Sequence, residues 1–276
     1  MRQLSTVWAG VRLVHPSPTL AVTALSGVMG AVLVTQSGGA VGVRWLLTVA
    51  AILGSQVFTG AINDLVDRTR DEAAGRVDKP LAGGDLSPGA ATWIASAGLA
   101  LQLAASLWLG MLAAALGAAA TLSALAYNLW LSRTPLSVLP YLVSFGLLPL
   151  WIAAGVGVPL ERVLPAVPLV APFAAAAHLA NAARDFAVDG ATGSRSLAQL
   201  LGPNASGWTA YALALAVGVS FGAALILGGN GAPALFGLGL LGLAAVAQGA
   251  GSADRLWYGI LAAAVAWSAA WALSTG

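Results

Sequence analysis

The sequence predicts an all-α, polytopic membrane protein of nine transmembrane helices, and three observations carry that prediction. Of 276 residues, 59% are hydrophobic and 8% are charged, against about 25% charged in a soluble domain. Twelve Lys/Arg and ten Asp/Glu cannot cover a soluble globule of this size. The charges are also clustered, leaving seven long charge-free gaps. The basic residues, finally, fall almost entirely on one side of the membrane once spans are assigned to those gaps.

A helix needs roughly 20 apolar residues to cross a bilayer. The gaps 13–43, 45–63, 134–160, 163–183 and 256–276 each hold one span. The gaps 86–132 and 196–253 are 47 and 58 residues long and hold two each. They hinge near Gly110-Met111 and across Gly228 to Pro233. In chain order the expected spans are 16–35, 43–64, 90–109, 112–131, 137–157, 163–183, 207–228, 233–250 and 255–273. Pro16 and Pro18 interrupt the place where the apolar run of a cleavable leader would start. With the N-terminus in the cytoplasm, Arg2, Arg12, Arg68, Arg70, Arg76, Lys79, Arg133, Arg184, Arg195 and Arg255 lie inside. Only Arg44 and Arg162 lie outside, a strong positive-inside bias that a count of eight or ten would scramble. Tryptophans 8, 45, 93, 151, 208 and 257 lie near expected span ends, as interfacial belts require.

Composition also excludes some functions. A formal net charge of +2 supplies no stripe for tracking phosphates along a nucleic acid. With no cysteine there is no disulfide framework, thiolate metal site or thiol nucleophile.

Fourteen of the 22 charges fall in two short stretches, 64–85 and 184–195. The stretches share one skeleton. Asn63, Asp67, Asp71 and Gly75 align with Asn181, Asp185, Asp189 and Gly193, in steps of four. The chain is read as a single domain, 1–276, with a pseudo-repeat at 63–75 and 181–193. Positions i, i+4 and i+8 stack on one helix face, drifting by about 40° per step. Each stretch is therefore expected to present an amide and two carboxylates as a column at a helix end. Two facing columns would place four carboxylates around one cavity, where bare they would repel one another. Oxygen-only ligands suit hard cations, Mg2+ above all. Nearby Arg and Lys suit an anion that bridges the metals, and a diphosphate fits. Ion transport would instead require charges near the bilayer midplane, and a scaffold would have no reason to duplicate the skeleton.

At these residues the chain resembles the UbiA superfamily of intramembrane prenyltransferases. Asn63-Asp64-x-x-Asp67-x-x-x-Asp71 matches its first aspartate-rich motif. Asp185-x-x-x-Asp189, followed by Gly193 and Ser196-Leu197-Ala198, is similar to its second. Lys79-Pro80-Leu81 with Gly84 resembles the basic-Pro stretch after the first motif, and Tyr127 to Leu136 the loop after the fourth span. The resemblance implies a ring of nine helices around a lipid-open cavity with a cytoplasmic cap in a plasma membrane; no obligate protein partner is evident from the sequence. It implies that Asn63, Asp67 and Asp71 hold one Mg2+, and Asp185 and Asp189 the other, with Asn181 as a further ligand. Asp64 points about 100° from Asn63 and takes a supporting role. Lys79, Arg133 and Arg195 are the candidates for holding the diphosphate, and Tyr127 lines the site. Relatives often carry a lysine where this chain has Leu131. Arg68 and Arg70 read as positive-inside anchors.

Two reactions fit the same metal site. The prenyl group passes to an aromatic or lipid acceptor, or the diphosphate cyclises on itself as in UbiA-type terpene cyclases. Gln56 and Thr59 lie seven and four residues before Asn63 on the same face, where they could contact substrate or tie helices together. His178, three residues before Asn181, could take a proton from a cationic intermediate or simply pack between helices. Arg12 and His15 open the first span, as an acceptor grip or as anchors.

Overall fold

In this computed structural model, residues 2–191, 193–228 and 233–274 are described, with side chains from Val7 onward. The expected hinge at Gly228–Pro233 lies largely outside them. Every regular element among the described residues is helical.

Nine apolar helices follow the expected order: α2 (Pro16–Gln36), α3 (Val43–Ala73), α4 (Pro88–Leu109), α5 (Met111–Leu129), α6 (Leu139–Val156), α7 (Val167–Arg184), α10 (Pro203–Leu227), α11 (Pro233–Ala247) and α12 (Ala253–Ser274). Eight of these segments are long and apolar enough to cross a membrane. The other, α11, has 15 residues, about 22 Å at 1.5 Å per residue. That is short of a hydrocarbon core of about 30 Å. Among the described residues there are also three shorter α-helices, α1 (Arg2–Leu13), α8 (Phe186–Ala191) and α9 (Leu197–Leu201), and three single-turn 3-10 helices, Leu131–Arg133, Leu160–Arg162 and Leu164–Ala166.

Each long helix packs on the next in chain order, and α12 returns to α2, closing a ring. One apolar core joins α2, α3, α4, α5 and α6 around Leu33, Ile52, Trp151 and Ile152. A second joins α7, α10, α11 and α12 around Leu179, Val246, Ile260 and Trp267. Trp271 packs against both. Backbones approach closely where glycines allow it. A Cβ on Gly54 would lie 2.5 Å from Gly98 O and 2.7 Å from Gln102 N.

Two features depart from the sequence reading. The first is α1, which was not expected. It buries Ala9 and Leu13 and leaves Val7, Trp8 and Val11 exposed. The second is Trp151, which was assigned to an interfacial belt. It is 2% exposed in the core, because Gly117 opposite has no side chain and the indole fills that space.

Candidate active site

Helix α3 runs nine residues past Asp64, so Asn63, Asp67 and Asp71 ride one unbroken helix as a column. The second column differs. Helix α7 ends at Arg184, Asp185 is its C-cap, and Asp189 sits on α8. The four-residue step survives the break. Asp185 N–H donates to Asn181 O at 3.1 Å, and Asp189 N–H to Asp185 O at 2.9 Å.

The repeat extends to how the two helices stop. Gly75 and Gly193 take φ of 66° and 76°, a left-handed conformation that costs other residues roughly 1–2 kcal/mol. Arg76 N–H donates to Asp71 O at 2.9 Å, and Ser194 N–H to Asp189 O at 3.1 Å. The glycine N–H groups reach Glu72 O and Gly190 O, each at 3.1 Å. Both ends are therefore Schellman turns, with the last aspartate of each column in the same place.

The two motifs meet at one end of the bundle, with basic residues between the acids. Asp67 Oδ1 accepts from Arg70, and from Arg133 Nη2 at 3.4 Å. Arg70 lies within electrostatic reach of Asp71 and Asp189, and Arg76 of Asp71 and Asp185. Arg133 O accepts from Arg195 N–H at 3.1 Å, tying the loop after α5 to the loop after α8. The Arg195 side chain is exposed. Burial pushes the Asp189 carboxyl above the usual carboxylate range; the charge of Asp185 adds to this and Arg70 opposes it.

The expected convergence of four bare carboxylates does not occur. Among the described residues, no group of three or more His, Asp or Glu closes on one point. Guanidinium groups stand between the acids, because like charges at contact distance repel. Asn181 is likewise engaged: its Oδ1 accepts from Arg184 Nη1 at 3.4 Å, and its Nδ2 donates to Asp185 at 3.3 Å. Asn63 Nδ2 donates to Asn128 Oδ1 at 3.4 Å.

Asp64, offset by about 100° from Asn63, lies at the Asp71 edge of the column. It is 1% exposed and accepts from Lys79 Nζ at 2.5 Å, with His15 Nε2 at 3.1 Å. Lys79 Nζ also lies 3.7 Å from Asp71. Asp64 and Asp71, seven residues apart, share one helix face, and the lysine locks the loop after α3 onto it. His15 adopts φ 51° at the start of α2. Arg12 pairs with Asp85 and donates to Asp78 O at 3.2 Å. In the same loop, the Arg76 guanidinium hydrogen-bonds Asp78 and holds its carboxyl down at about 2.

Deeper in the bundle, Tyr127, Tyr141, Phe145 and His178 form an aromatic cluster. Tyr141 stacks on His178 with centroids 4.4 Å apart, and on Phe145 at 6.1 Å. Tyr127 meets Tyr141 edge-on at 5.2 Å and His178 at 5.7 Å. Ser137, wholly buried, accepts from Leu197 N–H at 3.3 Å and lies 3.1 Å from His178 Nε2. The hydroxyl can donate to Nε2 or accept from it, according to the histidine tautomer. Sequence reasoning found Tyr127 and His178 and missed Tyr141, Phe145 and Ser137. The Tyr141/Phe145 spacing of four, on one helix face, was the available signal. Thr59 Oγ1 donates to Ser55 O at 2.9 Å, and its carbonyl accepts from Asn128 Nδ2 at 2.9 Å, so it ties α3 to α5. Gln56 is half-buried two turns below Asn63.

The sequence pattern of the UbiA prenyltransferase family matches residues 20–255. No curated protein matches the chain. Solved structures match over nearly the whole length. The apo structure of a UbiA homologue from Aeropyrum pernix K1 shares 22% identity, covering 91% of this chain and 97% of that one, with a TM-score of 0.73. A structure of digeranylgeranylglyceryl phosphate synthase shares 15% identity over 98% of each chain, with a TM-score of 0.72. A UbiA homologue from Archaeoglobus fulgidus bound to GPP and Mg2+ shares 17%, covering 97% of this chain and all of that one, with a TM-score of 0.70.

Proposed function

The chain belongs to the UbiA prenyltransferase family, and from that premise we propose a Mg2+-dependent enzyme that ionises an isoprenyl diphosphate inside the bilayer and transfers the prenyl group to an aromatic or lipid acceptor. It is an integral membrane protein; we place the motif end in the cytoplasm from the distribution of basic residues, and the membrane as a plasma membrane from the family resemblance.

One observation carries this reading: two columns of one sequence skeleton, ended by the same backbone turn, meet at one end of the bundle with arginines between them. The donor set fits the metal. All six ligand candidates offer oxygen, and Mg2+ binds through one or two carboxylates plus substrate phosphates, without a closed protein cage. Asn63, Asp67 and Asp71 would hold one ion, and Asp185 and Asp189 with Asn181 the other. Bound there, Mg2+ supplies neutralisation of the charge on the departing diphosphate. Arg133 donates toward the same anion. The aromatic cluster offers ring faces to the allylic cation and keeps water from it. His178, bound to Ser137 through Nε2 and stacked on Tyr141, belongs to that wall.

The same cluster supports a second reading, in which the cation is folded against Tyr127, Tyr141, Phe145 and His178 and cyclises. Incubation with Mg2+ and prenyl diphosphates of ten, fifteen and twenty carbons, without acceptor, separates the two. Products are read by gas chromatography with mass detection against Asp67→Ala/Asp185→Ala. The transferase reading expects Mg2+-dependent diphosphate binding with no cyclic product. A cyclic hydrocarbon or alcohol absent from the control would replace it with the cyclase.

A further inference from the structure

Arg70 lies outside the Asn-x-x-x-Asp-x-x-x-Asp skeleton, and the sequence treats it no differently from Arg68. Their environments separate them. The Arg68 side chain is 42% exposed, against 27% for Arg70, and pairs with Glu72 at 2.7 Å along the helix surface. Arg70 turns inward, where it pairs with Asp67 and lies within reach of Asp71 on its own helix and Asp189 on α8. Its Nε is buried and has no hydrogen-bond partner among the described residues.

The oxygen it holds is shared. Arg133 Nη2 reaches the same Asp67 Oδ1 at 3.4 Å. Two guanidinium groups carry ten N–H donors between them, and one carboxylate oxygen satisfies few of them. Two cations at one oxygen repel unless an anion of higher charge joins them. A planar fork with a buried, unused donor matches phosphate oxygens, which accept in pairs. Asp67 Oδ1 is also an atom that a divalent cation on the first column would need, so metal and guanidinium compete for it.

We propose that Arg70 is a substrate-binding residue: it holds Asp67 until metal takes that carboxylate, and then donates to the diphosphate. The proposal rests on the diphosphate-ionising reading above and extends it to a variable position within the first motif. It has a signature that a plain structural role lacks, because removing the arginine moves two affinities in opposite directions.

The test is titration calorimetry on the purified full chain in detergent, first with Mg2+ alone and then with inorganic diphosphate at saturating Mg2+. Arg70→Gln is expected to bind diphosphate about 10- to 100-fold more weakly, the range for a charged hydrogen bond. The same variant is expected to bind Mg2+ alone several-fold more tightly, because a competitor has gone. Arg70→Lys should recover part of the diphosphate affinity. Thermal melting of each variant identifies any loss that comes from misfolding, and Arg70→Lys then carries the comparison. Unchanged diphosphate affinity in a folded variant would overturn the proposal, as would a parallel fall of both affinities. If the unaltered protein binds no diphosphate with Mg2+, the diphosphate-ionising reading itself fails.

Discussion

Lys79 is where sequence and geometry pull apart, and replacing it with methionine separates two roles. The match to a basic-Pro stretch makes it a diphosphate ligand, whereas its contacts make it a strut. Nζ lies 2.5 Å from Asp64 and 3.7 Å from Asp71, with the Lys79 side chain 17% exposed and Asp64 1%. Removing one partner of a buried pair costs roughly 3–5 kcal/mol. His15 remains on Asp64 at 3.1 Å, so Lys79→Met should cost about 3 kcal/mol, the lower end of that range. At roughly 2–4 °C per kcal/mol for a chain of about this size, melting should fall by about 6–12 °C. Asp64→Asn alone should also destabilise, by leaving the ammonium short of its anion. The double variant should lose less than the sum of the two, with a coupling of about 1.5 kcal/mol or more. Intrinsic tryptophan fluorescence during thermal unfolding in detergent reads all four proteins. Strict additivity would refute the strut. So would a Lys79→Met protein that melts normally but no longer binds diphosphate.

Further outcomes follow from single sites. Gly54→Ala sets a methyl 2.5 Å from the Gly98 carbonyl at the α3–α4 contact; overpacking of this kind costs roughly 1–3 kcal/mol, read as a lower melting temperature. Ser137→Ala leaves the Leu197 N–H and the His178 ring without their shared partner, which should cost about 1–3 kcal/mol and slow turnover. Asp189 has a raised folded-state value, so its contribution to stability is lost as pH rises through that value. Asp189→Asn should therefore melt above the parent at neutral pH without metal, and the gain should vanish as pH falls below the ordinary aspartate range. A gain that grows on acidification would contradict the sign.

Much of the scaffold is legible in the sequence, because a membrane span is set by length and apolarity alone. The expected 16–35 is Pro16–Gln36, and the expected 90–109 is Pro88–Leu109. Helix α3 outruns its span by nine residues, since the four-residue step that marks the first column is itself a helical signal. Helix α1 escaped because twelve residues flanked by Arg2 and Arg12 are too short and too charged to read as a span. The column residues were legible from their repetition, and Gly75 and Gly193 from their register with it. What was not legible is the partnering of charges. The contacts of Lys79 with Asp64, His15 with Asp64, and Arg133 with Asp67 join positions 15, 49 and 66 residues apart. No local periodicity encodes such distances. The sequence therefore suggested bare carboxylates around a cavity, and the folded chain interleaves them with guanidinium groups.

The central claim is metal-assisted loss of diphosphate from a prenyl carbon at the meeting point of the two columns. The most direct measurement is release of inorganic diphosphate from a twenty-carbon prenyl diphosphate by the purified protein in detergent supplemented with a membrane lipid extract as the source of acceptor. It is run with Mg2+, with a chelator, and with Mg2+ on Asp67→Ala/Asp185→Ala. The expected result is release with Mg2+ that is abolished by chelation and falls by at least about a hundredfold in the double variant, consistent with several kcal/mol of lost charge stabilisation. Release at the parent rate from the folded double variant, or release indifferent to chelation, would contradict it.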